Sequence, residues 1–335
     1  MSSPAAKSIF RTVWQALACL IAFLLFSELY LYHCGYRRAV HPGPLSAGWT
    51  PRSGSIYDLD GDGIWINIWD NHNRASRPNP AYTKPYKVLM LGCSYTYGMG
   101  IEERNTYVWR LGELLPGCDF DNAGMLGFGP YQCLDRLKEL EKIQRYDAVI
   151  YASTFNHLFR NSSARKAFSG EQRSDIIVTH WGELNSAGNG VIYHPPQVVI
   201  WPLDDRWLLL NYLKIAYTCV THPYDNDLRL STRQKLYRLM VSDLAAQARR
   251  NGAKFGYVSL DCDPHKMMGI TREQLQALPF PSTSTEWYCD ILKGYQTCYR
   301  GQPGGHPNAL VHRYYAWRLA KWLQQEKLIP EQQPI

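Results

Sequence analysis

Four residues in this chain have the types and the placing that serine-based acyl chemistry needs. Ser94 ends the stretch Lys87-Val-Leu-Met-Leu-Gly-Cys-Ser94, an apolar run that breaks at Gly92. A short apolar run bounded by glycine predicts a parallel strand covered on both faces. A serine lifted off the end of such a strand lies where open α/β sheets bind their ligands. Gly124 follows a second strand signal near Phe120, and Asn156 follows a third, Ala148-Val-Ile-Tyr-Ala152. His306 lies in Gly301-Gln-Pro-Gly-Gly-His-Pro-Asn-Ala309, just before a final helical pattern. Ester chemistry by serine needs a nucleophile, a base for its proton and donors for the developing oxyanion. Ser94, His306, and the pair Gly124 and Asn156 supply these in turn. Turn serines also occur for backbone reasons alone, so Ser94 taken singly would decide little.

The elements that must hold these residues follow from periodicity. A helix is predicted from Thr106 to Leu115, and a second from Pro130 through Leu134, Leu137, Leu140 and Ile143. Ser231–Asn251 reads as an amphipathic helix that Gly252 stops, with Lys254–Leu260 as the next strand and a last helix running to about Glu326. Alternating strand and helix predict a right-handed parallel α/β sheet. Between about residues 160 and 230 the pattern is interrupted by an insertion. Ser174–Trp181 and Gly190–Trp201 carry strand signals there, and Trp207–Val220 a helical one.

Ahead of this domain, Val13–Tyr32 is almost wholly apolar. Some twenty residues of helix span about 30 Å, the thickness of a bilayer's hydrocarbon core. Trp14, Tyr30 and Tyr32 near its ends suit the membrane interface, and Glu28 lies near enough to one end to reach headgroups. No small-residue cleavage site follows, which favours a retained signal anchor over a cleaved signal peptide. The chain therefore divides into a cytoplasmic tail at 1–12, an anchor at 13–32, a linker with a small β-rich segment at 33–83, the α/β domain at 84–326 and a tail at 327–335. The domain is expected in the periplasm or outside the cell.

Composition narrows the class. With 335 residues, 45% of them hydrophobic, the chain can bury a full core. A net charge of +7 with no block of like charges carries no nucleic-acid signature. Neither GxGxxG nor a P-loop motif follows the first strand, which argues against nucleotide binding. The nine cysteines show no zinc spacing, so neither a metal nor a cofactor is expected. Cys289 and Cys298, or Cys118 and Cys133, could pair outside the cytoplasm or remain reduced. Asp58-Leu-Asp-Gly-Asp-Gly63 resembles the start of a calcium loop, but Trp69 stands where the bidentate Glu belongs, so a tight turn is expected. Eleven tryptophans and 23 tyrosines exceed what a core requires and suit a carbohydrate-facing cleft as well as packing.

The motifs together resemble the SGNH, or GDSL-like, hydrolase superfamily. The matching stretches are Gly92-Cys-Ser94-Tyr-Thr-Tyr-Gly98, Asn122-Ala-Gly124 with Gly127-Phe-Gly129, Phe155-Asn156, and His306-Pro-Asn-Ala309 with His312. The resemblance implies a flavodoxin-like three-layer α/β/α sandwich with a parallel sheet. Ser94 and His306 would be the catalytic pair, with Ser94, Gly124 and Asn156 as the oxyanion hole. It also implies a serine esterase or acyltransferase acting on small acyl esters, acetyl above all, of a glycan or lipid-linked sugar. Two positions depart from the family pattern. Cys93 replaces the Asp before the serine and is a rival nucleophile. Pro303 and Gly304 stand where the Asp that orients the histidine belongs, leaving a backbone carbonyl, Asp263 or Asp290 to take that part. The missing acid keeps open an alternative, a weak or inactive glycan-binding module of the same fold in an envelope assembly.

Overall fold

The computed structural model describes residues 4–34, 53–57, 64–162, 176–178, 181–195, 197–198, 207–221, 228–261, 277–285 and 306–331. Asp263, Asp290, Pro303, Gly304, the Cys289–Cys298 loop and the calcium-like stretch 58–63 lie outside them. The chain forms two compact units that interleave in sequence. One comprises Met1–His41, Arg165–Thr179 and Gln197–Tyr224, and the other Pro42–Ala164, His180–Pro196 and Asp225–Ile335.

The larger unit is built on five parallel strands: β3 (Tyr86–Gly92), β4 (Cys118–Gly124), β5 (Ala148–Ser153), β10 (Lys254–Ser259) and β11 (Ser282–Ser284). Their order across the sheet is β11-β10-β5-β3-β4. Numbered along the sheet's own sequence this is 2-1-3-4-5, the flavodoxin-like order. Helices α3 (Tyr107–Leu114) and α8 (Ala309–Gln325) pack together on one face, and α4 (Pro130–Leu140) and α7 (Leu230–Arg250) on the other. The domain is thus a three-layer α/β/α sandwich. Side chains alternate across β3, so Val88 and Met90 join the α3/α8 core while Leu89 and Leu91 face the other layer, all four fully buried. Burying each such side chain contributes about 1.5–3 kcal/mol, which fixes the strand that ends at the Ser94 turn.

Local chemistry sets the helix ends. Thr106 caps α3, its Oγ1 accepting the Trp109 N–H at 3.3 Å. Pro130 opens α4, where Gln132 Oε1 accepts the Gly129 N–H at 2.8 Å. Asn308 caps α8 by accepting from Leu310 and Val311 at 3.1 and 3.2 Å. Helix α4 stops at Leu140, so Ile143, expected within it, is an exposed residue of the following turn. Cys118 and Cys133 are buried thiols and do not form a disulfide. Cys133 Sγ instead contacts the Gly92 carbonyl at 3.8 Å.

The expected small β segment is an antiparallel pair, β1 (Gly54–Tyr57) with β2 (Trp65–Ile68). The insertion divides between the units. Hairpin β7 (Trp181–Leu184) and β8 (Val191–His194) packs against α7, with Tyr193 donating to Asp243 at 2.5 Å. The smaller unit holds α1 (Pro4–His33), the pair β6 (Ile176–Val178) and β9 (Gln197–Val198), and α6 (Leu208–Thr221). Within α1, Phe10–His33 is long and apolar enough to cross a membrane.

Candidate active site

The carboxyl ends of β3 and β5 meet where the strand order reverses, the usual ligand position in an open α/β sheet. There β3 ends at Gly92, Cys93 is extended at φ −104°, and Ser94 opens the four-residue helix α2 (Ser94–Tyr97). Gly98 closes that helix in the left-handed region at φ 85°, which glycine adopts without strain. At Gly92 a β-carbon would stand 2.1 Å from Thr96 Oγ1 and 2.7 Å from the Ala152 carbonyl, so only glycine lets the turn close.

His306 arrives from the segment before α8 and places Nε2 2.8 Å from Ser94 Oγ. Its ring meets Tyr95 edge-on, with centroids 5.5 Å apart. Ser94 is 6% exposed and so largely shielded from water. Its N–H, first in α2, has no partner among the described residues, as expected of a helix N-terminus. Asn156 opens the short helix α5 (Asn156–Phe159) past β5, and its half-buried side chain also has no partner among the described residues. Gly124 ends β4, in register with Gly92. Its N–H donates to Asn122 Oδ1 at 3.1 Å, so this predicted oxyanion donor already has an acceptor. Cys93 is 1% exposed, with Sγ 3.7 Å from Thr154 Oγ1, so its thiol faces the interior.

Several further residues hold this arrangement, of which Arg74 and Asp261 were not singled out by the spacing. Arg74, 1% exposed, donates through Nη1 to the Tyr97 and Gly98 carbonyls at 2.9 and 2.6 Å, and through Nη2 to Ile101 at 2.5 Å. Asn122 Nδ2 donates to the Thr96 carbonyl at 2.9 Å. Two side chains from separate segments thus satisfy the carbonyls at the end of α2, which a four-residue helix leaves unpaired.

On the other flank, the buried Asp261 accepts the Ser259 hydroxyl at 3.1 Å and the backbone N–H of Phe155, the neighbour of Asn156. Burial raises its carboxyl to about 7, against the lowering effect of those two donors. His312 accepts the Tyr107 N–H on Nδ1 at 3.0 Å and so fixes the start of α3. Burial, with the nearby charges of Arg74 and Arg110, pushes it down to about 3. An isolated Arg in an Asn-rich stretch and an Asp after a strand have no distinctive spacing; only the fold brings them here.

A cavity of about 550 Å³ lies elsewhere, at the amino end of β4, lined by Arg77, Lys84, Trp109, Glu113 and Asp119 among others. Ser94 is not part of it. Among the described residues no group of three or more His, Cys, Asp or Glu is placed to hold a metal.

No protein-family model and no curated protein matches the chain. Solved structures are similar to the chain at low identity. TesA matches at 13% identity over 72% of this chain and 99% of its own, with a TM-score of 0.44. A catalytic mutant of Axe2, an acetylxylan esterase from Geobacillus stearothermophilus, matches at 12% identity over 75% and 99%, with a TM-score of 0.42. A member of the lipolytic G-D-S-L family from Veillonella parvula matches at 11% identity over 70% and 97%, with a TM-score of 0.41. These are distant likenesses.

Proposed function

We propose that this chain is a membrane-anchored serine esterase or acyltransferase of SGNH type. The observation that carries the reading is the 2.8 Å contact between His306 Nε2 and Ser94 Oγ at the sheet's switch point. With its proton on Nδ1, His306 accepts the Ser94 hydroxyl proton as Oγ attacks the acyl carbon. The Ser94 N–H and the Asn156 amide, both without partners among the described residues, stabilise the resulting oxyanion. Gly124 contributes its N–H where Asn122 Oδ1 yields it. Collapse breaks the ester C–O bond, and His306 returns its proton to the leaving alcohol. Water or an acceptor hydroxyl then attacks the acyl-Ser94, His306 taking its proton and giving it back to Ser94 Oγ. Hydrolysis and transfer differ only in that acceptor.

The substrate class we propose is a small acyl ester, acetyl above all, on a glycan or lipid-linked sugar. The aromatic load supports the glycan, and the apolar span from Phe10 to His33 supports a location at a membrane with the domain outside the cytoplasm.

The test is turnover of p-nitrophenyl acetate by the full chain in detergent, with fluorophosphonate labelling of Ser94. Activity and labelling that both vanish in Ser94→Ala and His306→Ala support the reading. A protein that neither turns over acetyl esters nor takes the label would be a non-catalytic module. Activity that survives Ser94→Ala but not Cys93→Ser would transfer the role to the thiol.

A further inference from the structure

Glu28 is the one acid in the apolar run Phe10–His33. A carboxylate within a membrane helix costs at least about 2.5–3.5 kcal/mol near the bilayer centre and is normally paired. Glu28 is paired with backbone: Oε1 accepts the Leu208 N–H at 2.7 Å and Oε2 the Leu209 N–H at 3.1 Å. These are the first two amides of α6, donors that a helix start leaves unsatisfied. So Glu28 does not simply reach for headgroups; it caps a second helix.

The burial pattern of α1 agrees. From Phe10 to Cys34 every side chain is exposed except Leu24, Ser27, Glu28 and Leu31. Their spacing places them on one helical face, and α6 packs against α1. The Ser27 hydroxyl is satisfied by the Phe23 carbonyl at 2.8 Å, which leaves Glu28 as the polar link on that face. Leu208 is buried at the junction, whereas Tyr212, Leu213 and Tyr217 of α6 are exposed.

We propose that α6 is a second membrane-seated element, lying in the bilayer interface beside α1 and pinned there by Glu28. The proposal rests on α1 being a membrane span. Its sequence, Leu-Leu-Leu-Asn-Tyr-Leu-Lys-Ile-Ala-Tyr-Thr-Cys-Val-Thr, holds a single charge, Lys214. Fourteen residues reach about 21 Å, too short to cross a hydrocarbon core of about 30 Å. Glu28 lies five residues before the end of the span at His33, a depth of about 8 Å, within the 5–10 Å at which interfacial helices lie. Exposed tyrosines are the side chains expected at that level. The partner of the exposed apolar face is therefore lipid, because the face continues from a helix already in the bilayer. The insertion is then the chain's second hold on the membrane.

The test uses the full chain in phosphatidylcholine vesicles containing a nitroxide-labelled phospholipid quencher. A fluorescent amino acid is placed by codon suppression at Tyr217, at Phe23 in the anchor, and at Ile143, an exposed position of the larger unit. Emission at Tyr217 and Phe23 should fall to roughly half or less, with Ile143 unchanged. Quenching at Phe23 but not Tyr217 overturns the proposal while leaving the anchor in place. No quenching at Phe23 removes the anchor and the proposal with it. In Glu28→Leu, quenching at Tyr217 should move toward the Ile143 value while Phe23 stays quenched. Unchanged quenching at Tyr217 in that variant overturns the role of Glu28 as the pin.

Discussion

Gly124 lies against the backbone of Tyr97 so closely that a β-carbon on Gly124 would stand 2.4 Å from the Tyr97 nitrogen. The atoms in the way are backbone and the Thr96 β-carbon, so they cannot swing aside. Gly124→Ala should therefore push α2 away from β4, cost about 1–3 kcal/mol and, on the proposed mechanism, lower turnover of an acetyl ester with it. Gly112→Ala, where a β-carbon would meet nothing within 4 Å, is the control and should be neutral or stabilising by up to about 1 kcal/mol. Thermal melts of the two variants make the comparison.

Replacing Ser94 with Ala should lower kcat for an acetyl ester by about a thousandfold or more, and His306→Ala by a similar factor. The double variant should be no worse than either single one, because the two side chains act on one proton. A steady-state comparison of the three proteins decides it.

Arg74→Met should take the guanidinium away from the carbonyls of Tyr97, Gly98 and Ile101, although Asn122 Nδ2 still reaches Tyr97 at 3.4 Å and the Ile101 N–H still reaches Gly98 at 3.3 Å. Unsatisfied buried groups cost about 1–3 kcal/mol each, so a loss of about 3 kcal/mol in denaturant unfolding is expected. Arg74→Lys should recover only part of this, since one ammonium cannot reproduce the planar fork.

The buried histidines set an acid limit. His312, pushed down to about 3, binds a proton far more readily when unfolded. Its neutral form stabilises the fold above pH about 6.5, and this is lost as pH falls toward 3, at up to about 1.4 kcal/mol per pH unit. His312→Asn keeps an acceptor for the Tyr107 N–H and removes the titration. Its stability should fall less steeply over that window in urea titrations. His157, lowered well below the usual range by burial, keeps part of the acid sensitivity.

Asp261 works in the opposite direction. Its carboxyl is raised to about 7, so the folded protein holds a proton that the unfolded chain releases near pH 4. Stability from this group declines as pH rises between about 4 and 7, again by up to about 1.4 kcal/mol per unit. Asp261→Asn, which mimics the protonated acid, should remove that decline. The gap between variant and parent melting temperatures should widen from pH 4 to 7 and then level off.

Much of the sandwich could be read in the sequence because β3, β5 and β10 are largely apolar runs and its helices keep a steady period, whereas β4, Cys-Asp-Phe-Asp-Asn-Ala-Gly, and β11, Ser-Thr-Ser, are not. Val88–Leu91 and Ala148–Ala152 announced β3 and β5, and the glycine at 92 marked the turn. Ser94 and His306 were legible as types in the right order, and the fold brings them within hydrogen-bonding distance. Arg74 and Asp261 were not, because each acts on backbone atoms of a distant loop. Such contacts leave no periodic trace. Glu28 was visible as a lone acid in an apolar run, but its partner at Leu208 is 180 residues away, and the helical pattern there gives no sign of what it meets. Ile143 misled because helical spacing continued one step past the helix end.

Ser94 and His306 are separated by 212 residues, and His306 comes just before the last helix of the domain. Synthesis makes the proposed nucleophile well before its proposed base. Until the segment before α8 has been made, Ser94 has no His306 beside it. On the proposed mechanism acyl chemistry waits for His306, and a truncation before that residue should yield a protein that holds its serine and stays silent.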